Sequence, residues 1–144
     1  MIHGLKLNKM SKFQYQIVRY IHDRITGEFV NVGIIIFQPE INFLSSKFVT
    51  NLDRVSEFFN ITNEQYLLDA LQQFEREIEN DSKIELSNIS LSNITNHILP
   101  KDDSSLICSK SFCCIYNDPI EALEDLFNRL VKLKNNKRKW QTLQ

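Results

Sequence analysis

The chain has 144 residues, of which 42% are hydrophobic and 24% are charged. That is the size and composition of one globular domain with one core. With a formal net charge of −1, the protein as a whole has no positive electrostatic potential that would attract nucleic acid or an anionic membrane. Any such binding must therefore depend on a local group of residues. Since no apolar run approaches the roughly 20 residues of a membrane helix, and residues 1–10 lack the features of a signal peptide, we expect a cytoplasmic protein.

Residues 13–40 predict a β-hairpin. β-branched and aromatic residues are enriched on both sides of a short polar turn, which is typical of two strands joined tightly. If Asp23 faces Glu28 across the turn, Arg19 lies near Val32, and a bulge would shift this register by one residue. The hairpin makes parallel pairing of its strands impossible, so the sheet is predicted to be antiparallel.

The second strand of the hairpin is predicted to lie centrally in the sheet. Residues 32–37 are continuously apolar rather than alternating, which indicates burial on both faces. Gly33, inside this run, predicts a bulge or a close backbone approach.

The rest of the chain alternates helices and strands. We predict a strand over residues 41–49, a short helix capped by Asn51, a helix from Thr62 to about Glu79, a strand over residues 106–116 and a terminal helix capped by Asp118. The buried stripe predicted for the second helix comprises Tyr66, Leu67, Ala70, Leu71, Phe74 and Ile78, and that of the terminal helix comprises Ile120, Leu123, Leu126, Phe127, Leu130 and Val131. Residues 82–96 show no clean period and remain unassigned.

This order of elements predicts an α+β domain. We expect an antiparallel sheet of three to five strands that opens with the hairpin, with about three helices packed on one face. Residues 1–10 are expected to be a disordered extension, residues 11–134 the single domain, and residues 135–144 a basic tail. Met1 and Met10 are both possible starts.

Four polar residues around the hairpin are the candidates for chemistry. These residues are Arg19, Asp23, Glu28 and Asn31. In a functional interpretation the guanidinium and the amide bind an anion, and Glu28 acts as a base or metal ligand. In the structural interpretation, which we favour, Arg19 pairs with one of the carboxylates, Gly27 supplies a positive φ, and Asn31 bonds backbone at a bulge.

Three cysteines give no metal signature. Cys108, Cys113 and Cys114 do not have the spacing of a zinc site. On a regular strand, Cys108 and Cys113 would point to opposite faces. We interpret the cysteines as small buried apolar residues of a reducing compartment, and we predict neither a metal nor another cofactor.

The C-terminal tail concentrates positive charge next to the only tryptophan. The candidates for binding nucleic acid or a partner are Lys134, Lys137, Arg138, Lys139 and Trp140. Cations near a helix C-terminus usually complement its dipole and remain solvated, which is the interpretation we favour. The alternative is a clamp on phosphates with Trp140 stacked on a base or packed into a partner.

Two segments resemble a known family. The run R-Y-I-H-D at residues 19–23, followed by G-E-F-V-N-V-G-I-I-I-F at residues 27–37, resembles the start of a bacterial family known only as a domain of unknown function. Residues 108–131 are similar to its closing motif, a strand that leads into Asp-Pro and an amphipathic helix. Family members often carry Pro between the Tyr and the Asp, where this chain has His22. The resemblance implies no catalytic residues, but it implies a partner, because members are often encoded beside a HipA-like kinase-fold protein.

Three hypotheses for function follow. The first is a non-enzymatic interaction module that regulates a protein partner, which the resemblance suggests is the HipA-like protein of a toxin–antitoxin-like or defence system. A strand edge that accepts a partner strand would serve it. The second is an enzyme that acts on a phosphate-containing substrate at the hairpin site. The third is a nucleic-acid binder that uses the tail. The sequence contains no Gly-rich phosphate loop, HExxH or GxSxG motif, which disfavours the well-known enzyme classes.

Overall fold

The computed structural model of the protein describes residues 10–99 and 105–132. In chain order its elements are β1 (Ser11–Asp23), β2 (Glu28–Gln38), β3 (Phe43–Phe48), α1 (Asp53–Ser56), α2 (Glu64–Asp81), α3 (Leu91–Ile98), β4 (Leu106–Cys108), β5 (Phe112–Tyr116) and α4 (Pro119–Phe127). A 3₁₀ turn, Pro39–Ile41, joins β2 to β3, and a π-helical turn, Asn128–Lys132, continues α4. The predicted α+β class, opening with a hairpin, is confirmed. In the described part of the chain, every helix is too short or too polar to cross a bilayer.

The sheet has five antiparallel strands. β2 lies between β3 and β1, and β4 and β5 both pair with the other side of β1. β2 is therefore central, as its unbroken apolar run predicted. β4 pairs with the half of β1 near the hairpin turn and β5 with the half that starts the strand. Together they form one interrupted edge strand.

The hairpin register contains two irregularities. Asp23 faces Glu28 and Val18 faces Gly33, as predicted. Between these points Arg19 faces Asn31 and not its predicted neighbour, Val32. The pairing shifts between Val18 and Arg19 and shifts back before Asp23, so the predicted register is wrong only between the two irregularities.

Gly33 makes the close approach that a glycine inside a strand predicts. It faces Phe48 of β3, and a Cβ atom at Gly33 would lie 2.5 Å from Phe48 Cδ2. No real Cβ tolerates that distance, so the aromatic ring occupies the space that a side chain would need.

The sheet buries both of its faces, so the prediction that the helices lie on one face is wrong. One core cluster joins Val18, Val30, Val32, Ile35 and Phe37 of the sheet to α2 and α3, and we call this side the α2 face. The other joins Phe13, Ile17, Ile34 and Ile36 to α4, and we call it the α4 face. Because successive residues of β2 point to opposite sides and residues 32–37 are all apolar, each side needs its own cover.

Side-chain caps begin α2, α3 and α4, with two corrections to the predicted caps. The N-cap of α1 is Leu52, which forms no side-chain cap bond, and not Asn51. The Asp118 carboxylate accepts from the backbone N–H of Glu121 at 3.2 Å, as predicted. α2 is capped by Asn63, whose side-chain oxygen accepts from the N–H of Tyr66, and not by Thr62. α3, capped by Ser90, lies in the unassigned segment. The predicted burial is also wrong for Tyr66 and Ile120, which are exposed.

A buried polar cluster fastens α3 to the sheet. Gln16 of β1 is 2% exposed. Its side-chain oxygen accepts from Thr95 Oγ at 2.8 Å, and its amide nitrogen donates to Ser92 Oγ at 3.2 Å. Buried amides must be paired in this way, so the cluster fixes where α3 lies along β1.

Candidate functional site

Asp23 stabilises the hairpin turn. Its Oδ1 accepts from the backbone N–H of Ile25 at 2.8 Å and that of Thr26 at 3.4 Å. Gly27 completes the turn with a φ of +75°, as predicted. The carboxylate of Asp23 is thus engaged by backbone donors, which is the usual role of Asp in a turn.

Arg19 and Asn31 face each other across the hairpin on the α4 face. The guanidinium carbon of Arg19 lies 4.7 Å from the centroid of the Phe29 ring. The amide nitrogen of Asn31 donates to the carbonyl oxygen of Leu130 at 3.0 Å, which ties the hairpin to the turn that follows α4. Asn31 therefore bonds backbone beside an irregular register, as the structural interpretation predicted.

The predicted ion pair of Arg19 is absent from the described residues, where the guanidinium bonds neither Asp23 nor Glu28. Its Nε and the Oδ1 of Asn31 are buried and find no hydrogen-bond partner within the described part of the chain. Burial lowers the pKa of Arg19 from its ordinary value. The structure thus brings together two of the four candidates, while Asp23 belongs to the turn and Glu28 is exposed. Their chemical roles stay predictions.

The candidates in the tail, residues 134–140, lie outside the described residues. Within the described ranges, no three His, Cys, Asp or Glu side chains are grouped so that they could hold a metal ion.

The three cysteines differ in exposure. The prediction that the side chains of Cys108 and Cys113 point to opposite faces is wrong. Cys108 faces Val18 and Cys113 faces Gln14, so both point to the same face of β1. The interruption between β4 and β5 adds a residue, which reverses the alternation expected of a regular strand. Cys108 and Cys114 are partly buried and Cys113 is exposed. Burial raises the pKa of the Cys108 thiol to about 12 and that of Cys114 to about 11, which leaves both thiols protonated and poorly reactive at neutral pH.

Ser109 forms the interruption of the edge strand. Its N–H donates to the carbonyl of Ile17 at 2.8 Å, and its hydroxyl accepts from the N–H of Ile17 at 2.9 Å. The side chain thus takes the place of a backbone acceptor in the ladder. A bulge of this kind, with the exposed Lys110 next to it, limits uncontrolled pairing at the middle of an edge.

β5 presents an open surface on the α2 face. Ile115 is 57% exposed and faces Lys12, and the exposed Cys113 faces the half-buried Gln14. We call these four side chains the β5 surface. α3 reaches Gln16 further along β1 but leaves this end of the sheet accessible. Beyond β5 no further strand pairs among the described residues.

A groove borders this surface. It has a volume of about 320 Å³ and is lined by Lys12, Gln14, Phe37, Glu40 and Cys113, among others. Its lining is mixed, with the aromatic residues Phe13 and Phe37 among several polar side chains. Because side chains alternate along a strand, the sequence of residues 112–116 could have predicted that Cys113 and Ile115 share a face. No local signal predicts that this face is left exposed.

Fold and surface together define a small α+β domain with an open edge strand and a helix layer on each side of its sheet. One comparison with known proteins supports the coarser part of the resemblance, membership of a family of unknown function. A family model described as "Protein of unknown function (DUF3037)" matches residues 15–131, and the chain belongs to this family. Neither the curated proteins nor the solved structures gave a match.

Proposed function

We propose that this protein is a non-enzymatic interaction module that binds a segment of a protein partner along the outer edge of β5. The observation that carries the proposal is the exposed Ile115 on an edge strand whose outer side has no strand partner among the described residues. Backbone groups on such an edge can pair with an extended segment, while neighbouring pockets select its side chains. A candidate partner is a HipA-like kinase-fold protein, which the family resemblance suggests.

The β5 surface supports this mode of binding. Ile115 and Cys113 point to the same face, so a partner strand beside β5 would cover them together. The adjoining groove has Phe37 in its lining and the charges of Lys12 and Glu40. A partner side chain with an apolar body and a polar end therefore suits it.

Two of the hairpin candidates already have structural partners. The carboxylate of Asp23 already accepts two backbone N–H groups of the turn, and the guanidinium of Arg19 lies against Phe29.

Co-expression with the candidate HipA-like protein, followed by affinity purification at moderate salt with and without nuclease, tests the proposal. The informative variant is Ile115→Asp, because a carboxylate at this position must be desolvated when a partner strand covers it. Ile25→Asp is the matched control, since Ile25 is 96% exposed in the hairpin turn, at the opposite end of β1. We expect a stoichiometric, nuclease-resistant complex for the wild type and the control, and its loss for Ile115→Asp.

Thiol labelling gives a second readout on the wild-type chain. Cys113 is the exposed cysteine, and burial raises the pKa of Cys108 and Cys114 well above neutral, so a maleimide should react first at Cys113. The partner should slow this reaction. Retention of the complex by Ile115→Asp, or labelling of Cys113 at an unchanged rate in the complex, would contradict the proposal.

A further inference from the structure

A second cleft lies at the β3 edge of the sheet, opposite β5. It has a volume of about 390 Å³ and opens between the end of β3, α1 and the turn that follows α4. Its polar lining includes Lys47, Thr50, Asn51, Arg54 and Lys132. Hydrogen-bond donors thus enter the cleft from three separate parts of the chain. Nothing in the predicted site residues pointed to this place.

Arg54 is the unusual residue of the cleft. Its Nε and Nη1 atoms are buried and have no hydrogen-bond partner among residues 10–99 and 105–132. Withdrawing a guanidinium from water without giving it an acceptor is unfavourable. Burial accordingly lowers the pKa of Arg54, and the nearby Glu57 acts in the opposite direction. Among the described residues Arg54 forms no ion pair, although the carboxylate of Glu57 lies near enough to act on its charge.

The other charges of the cleft are either paired or exposed. Lys47 Nζ bonds the carboxylate of Glu124 at 2.5 Å and lies 5.1 Å from the centroid of the Phe127 ring. Lys132 is exposed, as are the acidic lining residues Asp53 and Glu57. Charges in contact with solvent are screened, whereas a partly buried charge is screened much less. Arg54 is less exposed to solvent than Lys132, Asp53 and Glu57, so its charge is the least screened of these four.

We propose that this cleft binds a small oxyanion, a phosphate or carboxylate group, with Arg54 as the central cation and Lys132 and Thr50 as further donors. A planar guanidinium is the side chain best suited to oxyanions of both kinds. The group could belong to a phosphorylated metabolite or to an acidic side chain of a protein. This inference is independent of the proposed function, because the cleft and β5 lie at opposite edges of the sheet.

The test is a ¹H–¹⁵N NMR titration of the full chain at pH 7 with sodium phosphate, and separately with sodium acetate. Sodium chloride at the same ionic strength is the control for general screening. We expect saturable shifts of the amide signals of Thr50, Arg54 and Lys132. Saturation by phosphate alone would identify a phosphate site, and saturation by acetate a carboxylate site. Absence of saturable shifts with both anions, or equal shifts with chloride, would overturn the proposal.

Variants then locate the binding. Arg54→Met keeps the aliphatic stem and removes the charge, so it should weaken binding about tenfold or more. Arg76→Met is the matched control, because Arg76 is exposed on α2 and bonds Gln73; it should bind like the wild type. If Arg54→Met does not fold, Lys132→Met on the exposed rim replaces it and should weaken binding measurably. Wild-type affinity in the folded cleft variant would overturn the assignment.

Discussion

The close contact between Gly33 and Phe48 predicts a destabilising effect for the mildest possible substitution. In Gly33→Ala the new Cβ would lie 2.5 Å from Cδ2, 2.7 Å from Cε2 and 3.0 Å from Cγ of the Phe48 ring. Carbon atoms normally approach to about 3.5–4.0 Å, so the overlap amounts to about 1 Å. The ring cannot easily retreat, because Phe48 is buried and its centroid lies 5.3 Å from that of Phe74.

The expected cost follows from two opposing terms. Overpacking of this size costs about 1–3 kcal/mol. A Gly→Ala change stabilises by about 0.4–1 kcal/mol through the unfolded chain where the native backbone tolerates it. We therefore expect Gly33→Ala to lower the free energy of unfolding by roughly 1–2 kcal/mol, measured by urea denaturation followed by circular dichroism.

A double-mutant cycle identifies the cause. In a Phe48→Leu background the clash is relieved, so Gly33→Ala should become neutral or stabilising, with a coupling energy of about 1–2 kcal/mol. Gly27→Ala is the control, because Gly27 has a positive φ and no atom near the position of a Cβ. It should cost about 1 kcal/mol in either background. If Gly33→Ala is equally costly with Phe and Leu at position 48, the steric explanation is wrong.

Three further substitutions test other parts of the fold. Gln16→Leu should lower the free energy of unfolding by about 1–2 kcal/mol in urea denaturation, because it removes the buried hydrogen bonds to α3; an unchanged value would show that the cluster contributes nothing. Arg19→Ala should lower the melting temperature by roughly 2–6 °C, through loss of its contact with Phe29, and a silent change would show that this contact contributes nothing to stability. The Tyr116 hydroxyl, which bonds Asp125 at 2.5 Å, holds the pKa of that carboxyl below its usual value; this contribution is present above about pH 4 and is lost as the pH falls further. The stability difference between wild type and Tyr116→Phe should therefore shrink in acid, and a difference that is constant with pH would exclude the bond as its source.

The ionisation of Tyr116 predicts a second change in stability, at alkaline pH. Burial and the neighbouring Asp125 raise the pKa of Tyr116 to about 12. For a group whose pKa is raised on folding, the stabilisation is complete below the unfolded value, about 10, and is lost as the pH rises through the folded value. The wild type should thus lose its advantage over Tyr116→Phe between about pH 10 and 12.

The sequence by itself determined the elements that local chemistry specifies. The unbroken apolar run of β2 required burial on both sides, and the structure places this strand centrally with apolar contacts on each face. Asp118 followed by Pro119 fixed the start of α4, because a cap and an N1 proline act within a few residues. Gly33 marked a close approach that only a residue without a side chain permits.

The tertiary structure decided which surfaces meet. Helical periodicity shows that a helix has an apolar stripe but not which face of the sheet that stripe covers, so the position of α4 opposite α2 had no local signal. A shift in the hairpin register after Val18 brought Arg19 opposite Asn31, and a second shift restored the predicted pairing at Asp23. Both proposed binding sites, the β5 surface and the Arg54 cleft, depend on what the rest of the chain leaves uncovered or unpaired. Exposure and pairing are properties of the assembled chain, which is why the residues alone did not reveal them.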